Sequence, residues 1–219
     1  GTPVGHFAIR PGPLLASADE FEIVVTGKGG HAAAPHQAVD TTLVAAQILL
    51  SLQSIVSRTV NPLRSVVVTV GTFRTDSDAS NVIAHTARME GTVRTLDPEY
   101  RTIAERRIRE IAEGTATAHG ASVEVTWTEG YPVTVNWPEN TRYAVDVARS
   151  ISAHVDDETD PIMPAEDFSF MLEERPGAYI FLGNGDTAMC HHPAYNFDDE
   201  AIPFGSSWYS GMIEARMPM

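Results

Sequence analysis

Hydrophobic residues along this chain switch between two periods, and the switches mark its elements. In EFEIVVTG, residues 20–27, Phe21, Ile23 and Val25 alternate with Glu22, Val24 and Thr26, the period-two pattern of a strand with one buried face. From Val39 to about Ser57 the apolar positions recur every three or four residues, as in Val39, Leu43, Ala46 and Leu50, which predicts an amphipathic helix. Asp40 and two threonines stand at its start, where caps belong. SVVVTVGTF is a β-branched strand, and ARMEGTVRTL is another, with Ala87, Met89 and Val93 on one face and Arg88, Glu90 and Arg94 on the other. The polar stretch RTDSDASNVIAH joins them as a turn. DPEYRTIAERRIREIAEGTATAHG predicts a second helix, with Asp97 as N-cap, Pro98 in the first turn, Ile103, Ile108 and Ile111 on one face and Gly120 as the stop. SVEVTWTEG, with Val123, Val125 and Trp127 on one side, closes the set.

Residues 20 to about 130 therefore read β-α-β-β-α-β, the split βαβ order of a ferredoxin-like domain. YPVTVNWPEN, with two prolines, reads as a linker leaving it. Beyond it, NTRYAVDVARSISAHV predicts a helix, PAEDFSFMLEERPG a short helix ended by Pro176 and Gly177, and AYIFLGNG an apolar strand running into a turn. These pieces cannot close a domain by themselves. The expected architecture is mixed, α+β with α/β: a ferredoxin-like domain over residues 20–135, inserted into an incomplete α/β body formed by residues 1–19 and 136–219.

Composition narrows the function. Twenty-nine acidic residues against fifteen basic give a formal charge of -14 over 219 residues, which argues against nucleic acid and anionic membrane surfaces as partners. The longest apolar run, around LVAAQILLSL, is interrupted by Gln47 and Ser51 and is too short to span a bilayer. One cysteine, Cys190, excludes an internal disulfide framework and fits a reducing compartment, so a cytoplasmic location is expected. The opening GTPVGHFAIRPGP has neither the basic start nor the apolar core of a signal peptide, and the chain is expected to begin inside something larger.

Three stretches concentrate reactive side chains. GKGGHAAAPH, residues 27–36, places His31 and His36 in a flexible loop between strand and helix; it fits no phosphate-loop pattern, and a plain turn with surface histidines is an equal reading. MCHHPAYNFDDE holds His191 and His192, but neighbours on an extended segment point to opposite faces, so both do not serve one centre. A single histidine does not hold a metal, since catalytic zinc sites take about three protein ligands, and from spacing alone a surface acidic loop is the favoured reading. In PAEDFSF, Glu166 and Asp167 stand at the start of a short helix, where acids commonly oppose the helix dipole.

GKGGHAAAPH, SNVIAHTARMEGTVRTL, YPVTVN, PAEDFSF and CHHPAYNFDDE, in this order, resemble the M20-type metal-dependent amidohydrolases, especially the hippurate hydrolase and indole-acetyl-amino-acid hydrolase branch. The resemblance runs over essentially the whole chain. It implies hydrolysis of the amide bond of small N-acyl amino acids by a catalytic domain holding two divalent metal ions (Zn, Mn, Co or Ni), with an inserted lid domain that pairs subunits as a homodimer. His31 then stabilises the oxyanion in the partner subunit's site, Asn81 and Arg94 orient the substrate carboxylate or carbonyl, Glu166 joins the substrate-binding residues, and His191 is the last metal ligand. His36, after Pro35, is read as a structural or capping residue.

The departures from the family pattern carry equal weight. A Cys-Gly-His-Asp motif, a paired glutamate segment and a histidine shortly before GTPVG, which supply the remaining ligands and the general base, have no match here. Ala84 and His85 replace the usual proline and acid after NVI. The resemblance therefore implies a chain that supplies lid, oxyanion histidine and one metal ligand, that does not hold its metals tightly and that is inactive alone. The competing expectation is a non-catalytic ferredoxin-like dimerisation or binding module, because fold does not fix function.

Overall fold

A computed structural model describes residues 1–216 of the chain. In chain order the first elements are β1 (Phe7–Ala8), β2 (Gly12–Leu15), β3 (Asp19–Thr26), β4 (Gly30–His31), α1 (Thr41–Ser54), β5 (Val66–Thr75), β6 (Val82–Ile83) and β7 (Thr86–Thr95). There follow α2 (Pro98–Ala118), β8 (Ser122–Thr128), β9 (Thr134–Asn136), α3 (Pro138–Ile151), β10 (Val155–Asp156), α4 (Phe168–Glu174), β11 (Phe181–Leu182) and α5 (Ala201–Arg216). Two compact units result. One, here the inserted unit, is Ala16–Val133 with Met163–Ala165; the other, the split unit, is Gly1–Leu15, Thr134–Ile162 and Glu166–Met219.

The inserted unit carries one antiparallel sheet of strand order β5-β7-β3-β8, with α1 leading from β3 toward β5 and α2 from β7 to β8. One face of each strand supplies the core: Phe21, Ile23 and Val25 from β3 and Ala87, Met89 and Val93 from β7 pack against Val44, Ile48 and Leu52 of α1 and Ala104, Ile108 and Ala112 of α2. Both helices start where local chemistry ends the chain's freedom. Asp40 accepts from the N–H groups of Thr42 (3.0 Å) and Leu43 (3.2 Å), and Asp97 from that of Glu99 (3.0 Å). The second helix stops at Gly120, whose φ of +70° suits glycine.

At the root of this sheet, Asp19 is fully buried and accepts from Arg101 Nε (2.7 Å), Arg101 Nη2 (2.5 Å) and the Gly130 N–H (3.0 Å). The N–H of Ala18 donates to the Tyr131 carbonyl (2.9 Å). The main segment of the unit, residues 16–133, thus enters and leaves through one clasped point. At Gly130 a Cβ would lie 2.1 Å from the Ala18 carbonyl oxygen, so only glycine passes.

The split unit has a smaller core, in which Phe7, Ile9, Ala144, Val145, Ala148 and Trp208 are buried together. Its strands are short: β1 pairs with β10 and β11, and β2 with β9. Three readings of the sequence change here. YPVTVNWPEN is not simply a linker, since β9 lies within it and Pro138 opens α3, a place where its missing N–H costs nothing. The strand in AYIFLGNG is only Phe181–Leu182, for a reason given below. Residues 201–216, unassigned from sequence, form α5, anchored by Trp208 Nε1 donating to the Ala144 carbonyl (3.1 Å).

Candidate functional site

The glycines of the His31 loop are set by close packing. A Cβ on Gly27 would meet the Val39 carbonyl oxygen at 2.6 Å, and one on Gly29 the Ile83 carbonyl oxygen at 3.0 Å. That approach lets β4 pair with β6, Gly30 opposite Ile83 and His31 opposite Val82, while the N–H of Ala32 donates to the Asn81 carbonyl (3.0 Å). The loop and the NVI turn are therefore zipped together. His31 and Asn81 line one open cavity of about 540 Å³ with Asp76, Ser77 and His85.

The His31 ring has a defined orientation, because its Nδ1 accepts the N–H of Ala33 (3.0 Å). A neutral imidazole whose Nδ1 lone pair is used carries its proton on Nε2, so Nε2 is a donor. Asp76 braces the turn from below: its carboxylate accepts from the N–H groups of His85 (3.0 Å) and Thr86 (3.2 Å), and the Thr86 bond above all holds its pKa below the usual carboxylate value. His36 lies exposed in a short turn at Pro35–Gln37, and the cap of α1 is Asp40 rather than this histidine.

Arg94 is in the same unit but not in that cavity. It lies eight residues along β7 from Thr86, roughly 26 Å at about 3.3 Å per residue. There it is half-buried on the sheet face away from the helices, donating to the Val93 carbonyl (3.1 Å). Since Val93 pairs with Asp19, Arg94 sits at the clasped end of the sheet and His31 at the other.

Glu166 and His191 belong to the split unit. Asp167 is the N-cap of α4 and Glu166 precedes it, so both stand at the helix N-terminus, although the Asp167 side chain makes no capping hydrogen bond. The Glu166 carbonyl accepts from the N–H (3.2 Å) and Oγ (2.7 Å) of buried Ser169. Its carboxylate accepts from the Tyr179 hydroxyl (3.3 Å). Burial first, then the charge of Glu166 and the bond to it, push the Tyr179 phenol up to about 12, with smaller effects from Tyr209 and Cys190. Nothing in the sequence neighbourhood of Tyr179, AYIFLGNG, signalled a polar task.

The two adjacent histidines differ. His192 Nδ1 accepts the N–H of Ala194 (3.0 Å), which leaves a neutral ring no lone pair for a cation. His191 has φ of +70°, the one non-glycine residue in left-handed backbone among the described residues. Strained backbone of this kind concentrates at functional positions, and it favours His191 as the ligand of the pair. Among the described residues, however, no group of three or more His, Cys, Asp or Glu side chains is arranged to hold a metal ion. The residues present do not by themselves fit a metal centre. No helix among them is long and apolar enough to cross a membrane.

The model of peptidase family M20/M25/M40 matches residues 1–215. The chain belongs to that family. N-acetylcysteine deacetylase of Bacillus subtilis is 38% identical over 210 residues, covering 95% of this chain and 54% of that protein. Thermostable carboxypeptidase 2 of Saccharolobus solfataricus is 37% identical over 210 residues, covering 93% and 53%. The crystal structure of a Bacillus subtilis protein, described as a dinuclear metal-binding peptidase of the M20 family, matches with a TM-score of 0.78 at 32% identity, covering 96% of this chain and 53% of that one. The chain thus spans about half the length of the curated M20 relatives it matches.

Proposed function

We propose that this chain forms the ferredoxin-like lid and the C-terminal part of the catalytic body of an amidohydrolase that cleaves N-acyl amino acids, hippurate-like or bearing acetyl or indole-acetyl groups. The observation that carries this reading is the His31 ring, whose Nδ1 is taken by Ala33 and which lines one open cavity with Asn81. A fixed donor aimed where negative charge develops on an amide oxygen is commonly the largest single contribution to catalysis. A carboxypeptidase and an N-acetyl-amino-acid deacetylase cut one kind of bond, the amide whose nitrogen belongs to an amino acid with a free carboxylate. Arg94, with its planar fork, suits that carboxylate, and Asn81 suits the carbonyl.

The proposed enzyme is a homodimer in which, as the family resemblance implies, His31 serves the partner subunit's site. His31 and Asn81 lie at the end of the sheet remote from the clasp, while Arg94 lies beside it. In the complete protein two divalent cations would supply Lewis acidity, and His191 is the residue of this chain proposed to hold one of them.

The test compares two proteins on N-acetyl amino acids and hippurate. The 219-residue chain, metal-loaded, should show no turnover, and the same chain extended to the length of its relatives should hydrolyse them. In the extended protein His31→Ala should lower kcat by about 10²-fold or more, the cost of losing one oxyanion donor. Turnover by the short chain would sink the division of the active site, and an unchanged kcat would remove His31 from the chemistry. An extended protein that dimerises without hydrolysing anything is the outcome a non-catalytic dimerisation module requires.

A further inference from the structure

YPVTVN contains an asparagine that the proposed chemistry leaves unused. Asn136 is fully buried, and its Nδ2 donates to the carbonyls of Arg10 (3.0 Å) and Tyr179 (2.9 Å), while its Oδ1 accepts the N–H of Tyr179 (2.7 Å). One side-chain amide thus takes both backbone groups of Tyr179, standing in for a strand partner. That is why β11 begins only at Phe181: the ladder position before it is occupied by a side chain. The Tyr179 ring is set between Phe168, tilted by 52° at 5.8 Å, and Phe181, at 79° and 5.7 Å. With backbone and ring both fixed, the hydroxyl has one direction, toward Glu166 Oε2 at 3.3 Å. Glu166 is anchored at its own end by Ser169.

We infer that Tyr179, clamped by Asn136, is a positioning residue that aims the Glu166 carboxylate at the substrate, committing Oε2 and leaving Oε1 to accept an N–H such as that of the substrate amide. The inference rests on the assignment of Glu166 to substrate binding in the proposed amidohydrolase. Because the phenol ionises only near 12, it remains a donor throughout the range in which an enzyme works. A half-buried neutral donor orients a carboxylate without cancelling its charge, which an arginine or lysine at the same place would do.

Two measurements test this. In the extended protein, Tyr179→Phe keeps the ring and removes only the donor; KM for an N-acetyl amino acid should rise about tenfold, the scale of one hydrogen bond to a charged group, with kcat changed less than twofold. Asn136→Ala should raise KM in the same direction. In the 219-residue chain, Glu166→Gln should bring the Tyr179 ionisation, followed by NMR of ring-labelled tyrosine and assigned with Tyr179→Phe, down from about 12. A role confined to packing predicts lower stability with KM unmoved. An unmoved KM in an active enzyme, or a phenol indifferent to Glu166→Gln, overturns the inference and leaves the functional reading standing. A wild-type extended protein that turns over no N-acyl amino acid removes that reading, and the inference with it.

Discussion

A backbone N–H two residues downstream decides what each of two histidines can do. Ala33 fixes His31 as a donor at Nε2, and Ala194 fixes His192 in the same way, so His191 remains as the imidazole able to offer a lone pair. Only the family resemblance separates His191 from His192 in the sequence, because spacing says which face a residue occupies and nothing about which ring nitrogen is taken. Asn136 was hidden for a similar reason: three of its hydrogen bonds go to residues more than forty positions away in the chain. Asp19 is a third case, legible only as a polar residue before a strand. Its partner Arg101 is 17% exposed while Asp19 is fully buried, so removing the carboxylate takes from a largely buried cation its buried counter-charge. Asp19→Ala should destabilise the protein by about 3 kcal/mol in urea denaturation, the usual cost of breaking such a pair, and a loss below about 1 kcal/mol would mean that Glu129 compensates.

The elements were legible in proportion to how far local chemistry specified them. The two helices of the inserted unit carry their own caps, three of its four long strands show period two and the fourth is a β-branched run, so their positions follow from the sequence. The helix at 201–216 does not, because AIPFGSSWYSGMIEAR contains a proline, two glycines and three serines, all weak helix formers. It exists because packing around Trp208 overrides propensity. Gly91 in the middle of β7 shows the opposite dependence, an element that needs an absent side chain. A Cβ there would lie 2.3 Å from both the Phe21 ring and the Thr69 carbonyl oxygen. The ring can turn, but the carbonyl is held in the ladder. Gly91→Ala should therefore cost about 2 kcal/mol or more by overpacking, read as a lower Tm in calorimetry, whereas Gly114→Ala, with open space around its Cβ, should not destabilise α2.

At the scale of the molecule, the split unit leaves much apolar surface uncovered. In the split unit Phe170, Met171, Ile202, Tyr209 and Ile213 are all exposed, and a groove of about 480 Å³ lined by Phe168, Phe170, Met171 and Leu172 is almost wholly apolar. Apolar surface of this kind on an isolated chain drives association. The 219-residue chain should bind the dye ANS strongly and sediment as a concentration-dependent mixture, and a protein lengthened to the size of its relatives should lose most of that dye binding. Dye binding unchanged by lengthening would place the exposed surface elsewhere in the protein's function.

The clasp at Asp19, Arg101 and Gly130 has a consequence for how such proteins can be rearranged. A segment whose first and last residues already touch is a cassette: residues 16–133 can be lifted out, joined end to end by a short glycine linker and reopened at an exposed turn such as Asn61–Arg64 without asking the sheet to change. The same property lets one body exchange its cassette for another and keep its frame, so that the residues at the far tip can be altered as a set while the rest of the polypeptide continues undisturbed.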